Sequence, residues 1–177
     1  CQVPAPPALR TSFVVDGAGD SLESLDITLD VRKATVMETL AVPRSNATLT
    51  RSWYAHRTRP NLVVSEIDLV AAAGNQAAVR IAPNTTGGAS LKSRDLELSA
   101  VTAHGSNLLS VVGVVRKPEN GAPPQRVAIA WTNVSAVLRA GISGAQSSRS
   151  LLLCSVHVAD GAEDALEAAL RDLREAA

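Results

Sequence analysis

The chain has 177 residues, 46% of them hydrophobic and 2% aromatic, with Lys+Arg 17 balanced by Asp+Glu 17. That length suits one domain with a core of its own, and the apolar content excludes wholesale disorder. The zero net charge supplies no general attraction to nucleic acid, and no apolar run approaches the roughly 20 residues that span a bilayer.

Residues 2–10 (Gln-Val-Pro-Ala-Pro-Pro-Ala-Leu-Arg) read as an extended lead-in, because proline cannot donate to a ladder. The chain opens on Cys1 with no initiator Met, as after removal of a leader, a lipoprotein cleavage or loss of upstream sequence. Cys1 and Cys154 are too few for a disulfide framework. They are read as two unpaired thiols, with Cys154 buried in a strand, and a Cys1–Cys154 bond is the other reading.

Period-two segments follow. In 24–31, Leu25, Ile27, Leu29 and Val31 alternate with Ser24, Asp26, Thr28 and Asp30, which predicts a strand with one buried and one solvent face. Residues 34–42 are its expected partner. Further strands are expected at 48–57, 62–71, 76–82, 95–102, 108–116, 126–132 and 149–158, separated by Gly, Pro, Asn and Ser clusters. The Ala-rich stretch 71–78 reads as a hairpin connection. From Asp160 the period becomes helical, with Leu166, Ala169, Leu170 and Leu173 on one face and Asp160 with Glu163 resembling a capping box. The expected fold is a mainly β antiparallel sandwich, with a lead-in at 1–10, a sandwich domain at 11–159 and a helical segment at 160–177.

Chemistry-bearing groups are sparse. Glu66 and Asp68, Asp95 and Glu97, and Asp26 and Asp30 share strand faces, and two same-face carboxylates about 7 Å apart would suit an inverting glycosidase pair. The simpler reading is the polar face of an amphipathic strand. His56, His104 and His157 lack metal-ligand spacing. Gly141-Ile-Ser-Gly-Ala145 is not a nucleophile elbow, and neither a Gly-Lys-Ser/Thr phosphate cradle nor a Gly-x-Gly-x-x-Gly motif occurs, so no cofactor is expected. Alternation groups Trp53 with Leu49 and Ala55, and Trp131 with Val127 and Ile129, on core faces. Tyr54 falls with Thr50, Ser52 and His56 on a face open to solvent or a partner. One aromatic is little for stacking a sugar ring, which disfavours an autonomous lectin. The sequons at Asn46, Asn84 and Asn133 fall near turns or strand ends and favour a secretory, lysosomal, vacuolar or extracellular protein, leaving the cytoplasm open.

The segment Leu29–Leu40, then Trp53-Tyr-Ala-His-Arg-Thr-Arg-Pro-Asn-Leu62 and Val63–Leu69, resembles the amino-terminal domain of glycoside hydrolase family 65. The nearest branch is the acid-trehalase-like enzymes, including protein-glucosylgalactosylhydroxylysine glucosidase. Tyr54-Ala-His-Arg-Thr-x-Pro60 carries most of the specificity, and 150–173 resembles the exit from that family's sandwich into a helical linker. The resemblance implies a galactose-mutarotase-like supersandwich, a linker and an (α/α)6 barrel that cleaves or phosphorolyses α-glucosides with inversion and without a metal. No position here matches the barrel's general-acid motif, so no catalytic residue transfers. The family's opening strands are also missing.

The expectation is therefore a non-catalytic sandwich beside a barrel, with carbohydrate contact and a dimer contact open. Candidate docking residues are Tyr54, His56, Arg57, Arg59, Leu166, Leu170 and Leu173. The rival reading is a secreted or cell-surface adhesion or structural module.

Overall fold

The structure, a computed structural model, describes residues 12–15, 22–82, 96–116, 123–141 and 147–176. Cys1, Asn84, Asp95 and most of the Gly141–Ala145 stretch lie outside these residues, and so does the lead-in. The described chain is mainly β. Its strands are β1 (Ser12–Val15), β2 (Glu23–Asp30), β3 (Thr35–Val42), β4 (Ala47–His56), β5 (Arg59–Ala71), β6 (Ala77–Ala82), β7 (Leu96–Leu98), β8 (Thr102–His104), β9 (Leu108–Val115), β10 (Arg126–Thr132), β11 (Ala136–Ala140) and β12 (Ser147–Ala159). One helix, α1 (Ala162–Ala176), ends it.

All pairings are antiparallel. The large sheet runs β2-β3-β4-β5-β12-β10-β9-β7, with β8 also on β9, and a small sheet runs β1-β6-β11. The small sheet covers one face of the large one. Val79, Ile81 and Leu138 meet Leu40, Leu49, Ile67, Leu69 and Leu152 in one buried cluster. Further along, Val111, Val127, Ile129, Trp131 and Cys154 form a second cluster. Burial pushes the Cys154 thiol up, so it stays protonated.

Helix α1 covers the opposite face. Alternation sends Leu62 and Val64 of β5 and Leu153 of β12 away from the small sheet, and these pack with Ala165, Ala169, Leu170 and Leu173. Ala128 and Ala130 of β10 lie in the same cluster, so alanine faces alanine and the helix comes close to the sheet. Its Ala, Leu, Glu and Arg content favours helix, and Glu163 and Asp164 in the first turn with Arg174 in the last complement the dipole. The centre of the large sheet is thus covered on both faces.

Several expectations change. Strand β2 is exposed on both faces rather than half-buried, because neither the small sheet nor α1 reaches the sheet's end. The 71–78 connection is no hairpin: β5 and β6 belong to different sheets, and the turn at Gly74 (φ 80°) carries the chain across. The expected strand at 95–102 divides into β7 and β8, which both pair with β9. There Gly113 is required, since a Cβ would lie 2.8 Å from the Glu97 carbonyl oxygen. Strands β1 and β11 were not anticipated; they are too short for period two to stand out. At the helix start Gly161 takes the cap position, its carbonyl accepting from Ala165 N–H at 3.2 Å, so Asp160 stands one place too early.

Candidate functional site

The segment that carries the family resemblance folds as the β4–β5 hairpin. Tyr54 and His56 end β4, Arg57 and Thr58 turn, and Arg59 and Pro60 open β5. Proline is tolerated there because the strand has only begun. The Thr58 N–H reaches His56 Nδ1 at 3.4 Å, which closes the turn. A register shift between Ala55 and His56 sets His56 opposite Arg59.

Cross-strand register then builds a polar face. Asp26, Thr39, Thr50, Asp68 and Arg149 form one row across β2, β3, β4, β5 and β12. Thr28, Met37, Ser52, Glu66 and Leu151 form the next. Tyr54 projects on this side, as alternation predicted. Its hydroxyl donates to Glu66 Oε1 at 3.0 Å, and Arg149 Nε donates to Asp68 Oδ1 at 2.6 Å. Thr28 donates to Asp26 Oδ2 at 2.7 Å. Burial, then the Glu66 hydrogen bond and charge, push the Tyr54 hydroxyl above its ordinary value, with Arg149 pulling back. The hydrogen bond and charge of Asp68 hold the Arg149 guanidinium above its own. Glu66 and Asp68 do share a face, but each is held by a neighbour on an open sheet surface. A depression of about 620 Å³ lies beside them, floored by Leu108, Leu151, Leu153 and Leu173 and edged by Asn133 and Arg174; neither carboxylate lines it.

A second polar cluster sits where the hairpin meets α1. Asp172 Oδ2 lies 2.8 Å from His157 Nε2, and Ser155 Oγ donates to the same oxygen at 3.4 Å. Arg59 reaches Asp172 at 3.6 Å and Glu175 at 2.9 Å. Both Ser155 and His157 bond to the carboxylate, and no bond joins them, so the grouping lacks the serine–histidine contact that nucleophilic catalysis needs. It fastens the helix to β12 and to the hairpin. His104 likewise meets the Ser110 hydroxyl at 2.7 Å.

The docking candidates therefore separate. Leu170 and Leu173 are buried and Leu166 is half-buried, all within the chain's own helix–sheet core, and Arg59 is engaged by the helix acids. Tyr54 is half-buried against the same core, His56 is half-buried at the hairpin end, and of the three only Arg57 is exposed. Asp172, Glu175 and Arg149 were missed by sequence reasoning. The spacing of Asp172 and Glu175 at i, i+3 marks one helix side as acidic, but only the fold names Arg59 as their cation. Asn46 is exposed in the β3–β4 turn. Asn133 follows β10 and is half-buried, with its side-chain oxygen buried and unbonded.

On the inner face, Arg51 lies buried with its guanidinium 4.5 Å from the Trp53 ring centre and 5.6 Å from that of Phe13. Burial pushes it down to about 10, against the pull of Glu38 opposite. Because Phe13 lies on β1, this contact ties the two sheets together. Among the described residues no three of His, Cys, Asp and Glu converge as metal ligands, and no helix is long and apolar enough to cross a membrane.

Compared with known proteins, the chain matches no family model and no curated sequence.

Proposed function

We propose that this chain is the non-catalytic β-sandwich portion of an α-glucoside-cleaving enzyme of the family-65 kind, of trehalase or glucosyl-galactosyl-hydroxylysine glucosidase type. In that role it supports a separate (α/α)6 barrel. The resemblance centred on Tyr54-Ala-His-Arg-Thr-x-Pro60 supports the family. The observation that carries the non-catalytic reading is the fate of Glu66 and Asp68. One accepts from Tyr54 and the other from Arg149, and neither lines the depression beside them. Inverting hydrolysis needs one carboxyl free to protonate a leaving group and another free to activate water across the sugar. The hairpin end, with half-buried His56 and exposed Arg57, is the part of the resembling segment left for contact with a barrel.

The test is glucose release from trehalose and from glucosyl-galactosyl-hydroxylysine. Residues 1–177 alone should release none, whereas the full product of the native gene should be active through a glutamate encoded outside this stretch. Turnover by the isolated chain that disappears on Glu66→Gln or Asp68→Asn would overturn the reading. A native product built of further sandwich modules, with no barrel, would favour the secreted or cell-surface module instead.

A further inference from the structure

Strand β2 is the anomaly of the surface. Leu25, Ile27 and Leu29 are 58%, 66% and 63% exposed, and Val31 just beyond the strand is 80% exposed. Scattered apolar residues on a surface are ordinary, but Ile27 and Leu29 share one face of a sheet edge, with Leu25 at a bulge before them and Val31 just after, and such a row is the pattern of a surface awaiting cover. The row is not isolated. Ile27 pairs with Glu38 and Leu29 with Val36, and these pair in turn with Arg51 and Trp53, so the row extends the face that the small sheet covers further in. Among the described residues β2 ends the large sheet, and an end strand has backbone N–H and C=O groups along its free side. A bulge between Ser24 and Asp26 interrupts its start, but from Asp26 to Asp30 the pairing is regular, and the strand lacks lysine and proline, two of the devices that blunt such edges.

The other side of the strand is acidic. Glu23, Asp26 and Asp30 pair with Ala41, Thr39 and Thr35 and so share the outer face. Asp30 is committed to the following turn, accepting from the N–H groups of Arg32 and Lys33 at 3.0 and 3.1 Å. Among the described residues neither Glu23 nor Asp26 belongs to an ion pair; Asp26 only accepts from Thr28. This charge pattern selects the occupant. Antiparallel pairing of two copies through Ile27 and Leu29 would set Asp26 directly opposite or diagonal to Asp26 or Asp30 of the second copy, and like charges at those positions repel.

We propose that the free edge of β2 takes up an added strand from a polypeptide segment that alternates apolar residues with Lys or Arg. Its apolar side chains continue the face of Ile27 and Leu29, its cations lie beside Glu23 and Asp26, and its backbone continues the ladder. The inference stands on β2 alone and does not rest on the glycosidase reading.

The test is calorimetric titration of the whole chain with the capped peptide Val-Lys-Val-Lys-Val-Lys-Val. The controls are its Glu counterpart and a backbone N-methylated version. The Lys peptide should bind about tenfold more tightly than the Glu peptide, as expected when two cross-strand charge pairs change sign. N-methylation should abolish binding, Ile27→Lys should abolish it as well, and Glu23→Lys/Asp26→Lys should reverse the preference. Absent binding, equal affinity for both peptides, or indifference to N-methylation or to Ile27→Lys would overturn the proposal. So would a dimer, seen by light scattering, that Ile27→Lys dissolves. The wild-type comparison stands even if a variant misfolds.

Discussion

Strands β2 and β5 carry the same kind of pattern and meet opposite fates. In β5, Ile67, Leu69 and Ala71 lie under the small sheet while Leu62 and Val64 lie under α1, so both faces are used. In β2, Ile27 and Leu29 alternate as regularly and stay in solvent. The difference lies in position along the sheet. Period two makes a strand and sorts its side chains by face, but whether a face is dry depends on what the rest of the chain lays over it.

The sharpest way to break this contrast is to compare truncations at the two places. Leu49→Ala or Leu173→Ala, at fully buried sites, should cost about 2–5 kcal/mol in urea unfolding. Ile27→Ala or Leu29→Ala should stay within about 0.5 kcal/mol in the isolated chain. Comparable losses at both places would mean that β2 is covered in solution.

A smaller effect tests how the helix is held. Asp172→Ala removes the acceptor of His157 and Ser155 and one contact of Arg59, and should cost about 1–3 kcal/mol by the same measurement. Asp172→Asn should lose less, because the amide oxygen still accepts. An unchanged midpoint would show that apolar packing alone docks α1.

The smallest effect belongs to the polar face. Tyr54→Phe leaves Glu66 without its donor and should cost about 0.5–1.5 kcal/mol. The sign of its pH dependence follows from the raised Tyr54 value. The folded state holds the phenolic proton more tightly than the unfolded chain, whose tyrosine titrates near its ordinary value of 10.0. The stabilisation is complete below that value and is lost as pH rises through the folded-state value. Ultraviolet titration of the chain, which has one tyrosine, should show ionisation delayed relative to the urea-unfolded protein. Coincident curves would show that the contact with Glu66 does not persist.

Much of the architecture was legible in the residues. The strands at 34–42, 108–116 and 126–132, the terminal helix and the face that Tyr54 shares with Thr50 and Ser52 all follow from periodicity, because each depends on neighbours a few positions away. The same holds for the burial of Trp131. Besides the exposure of β2 and the division of the 95–102 strand, other features were not legible. Strands β1 and β11 are short, the 71–78 connection crosses between sheets instead of closing a hairpin, and the cap falls on Gly161 rather than Asp160. In the candidate site, the pairing of Glu66 and Asp68 on one face was readable from their spacing. Their capture by Tyr54 and Arg149 was not, since it depends on the register of β4 and β12 against β5.

The amino-acid order by itself determined a mainly antiparallel β chain with one terminal amphipathic helix, since local periodicity reports which side of an element each residue occupies. Only the tertiary structure decided which of those sides are covered, that Arg59 joins the helix acids, and that Ile27 and Leu29 are left in water. Those outcomes depend on which distant strands become neighbours, and a residue's local pattern holds no record of its position across a sheet.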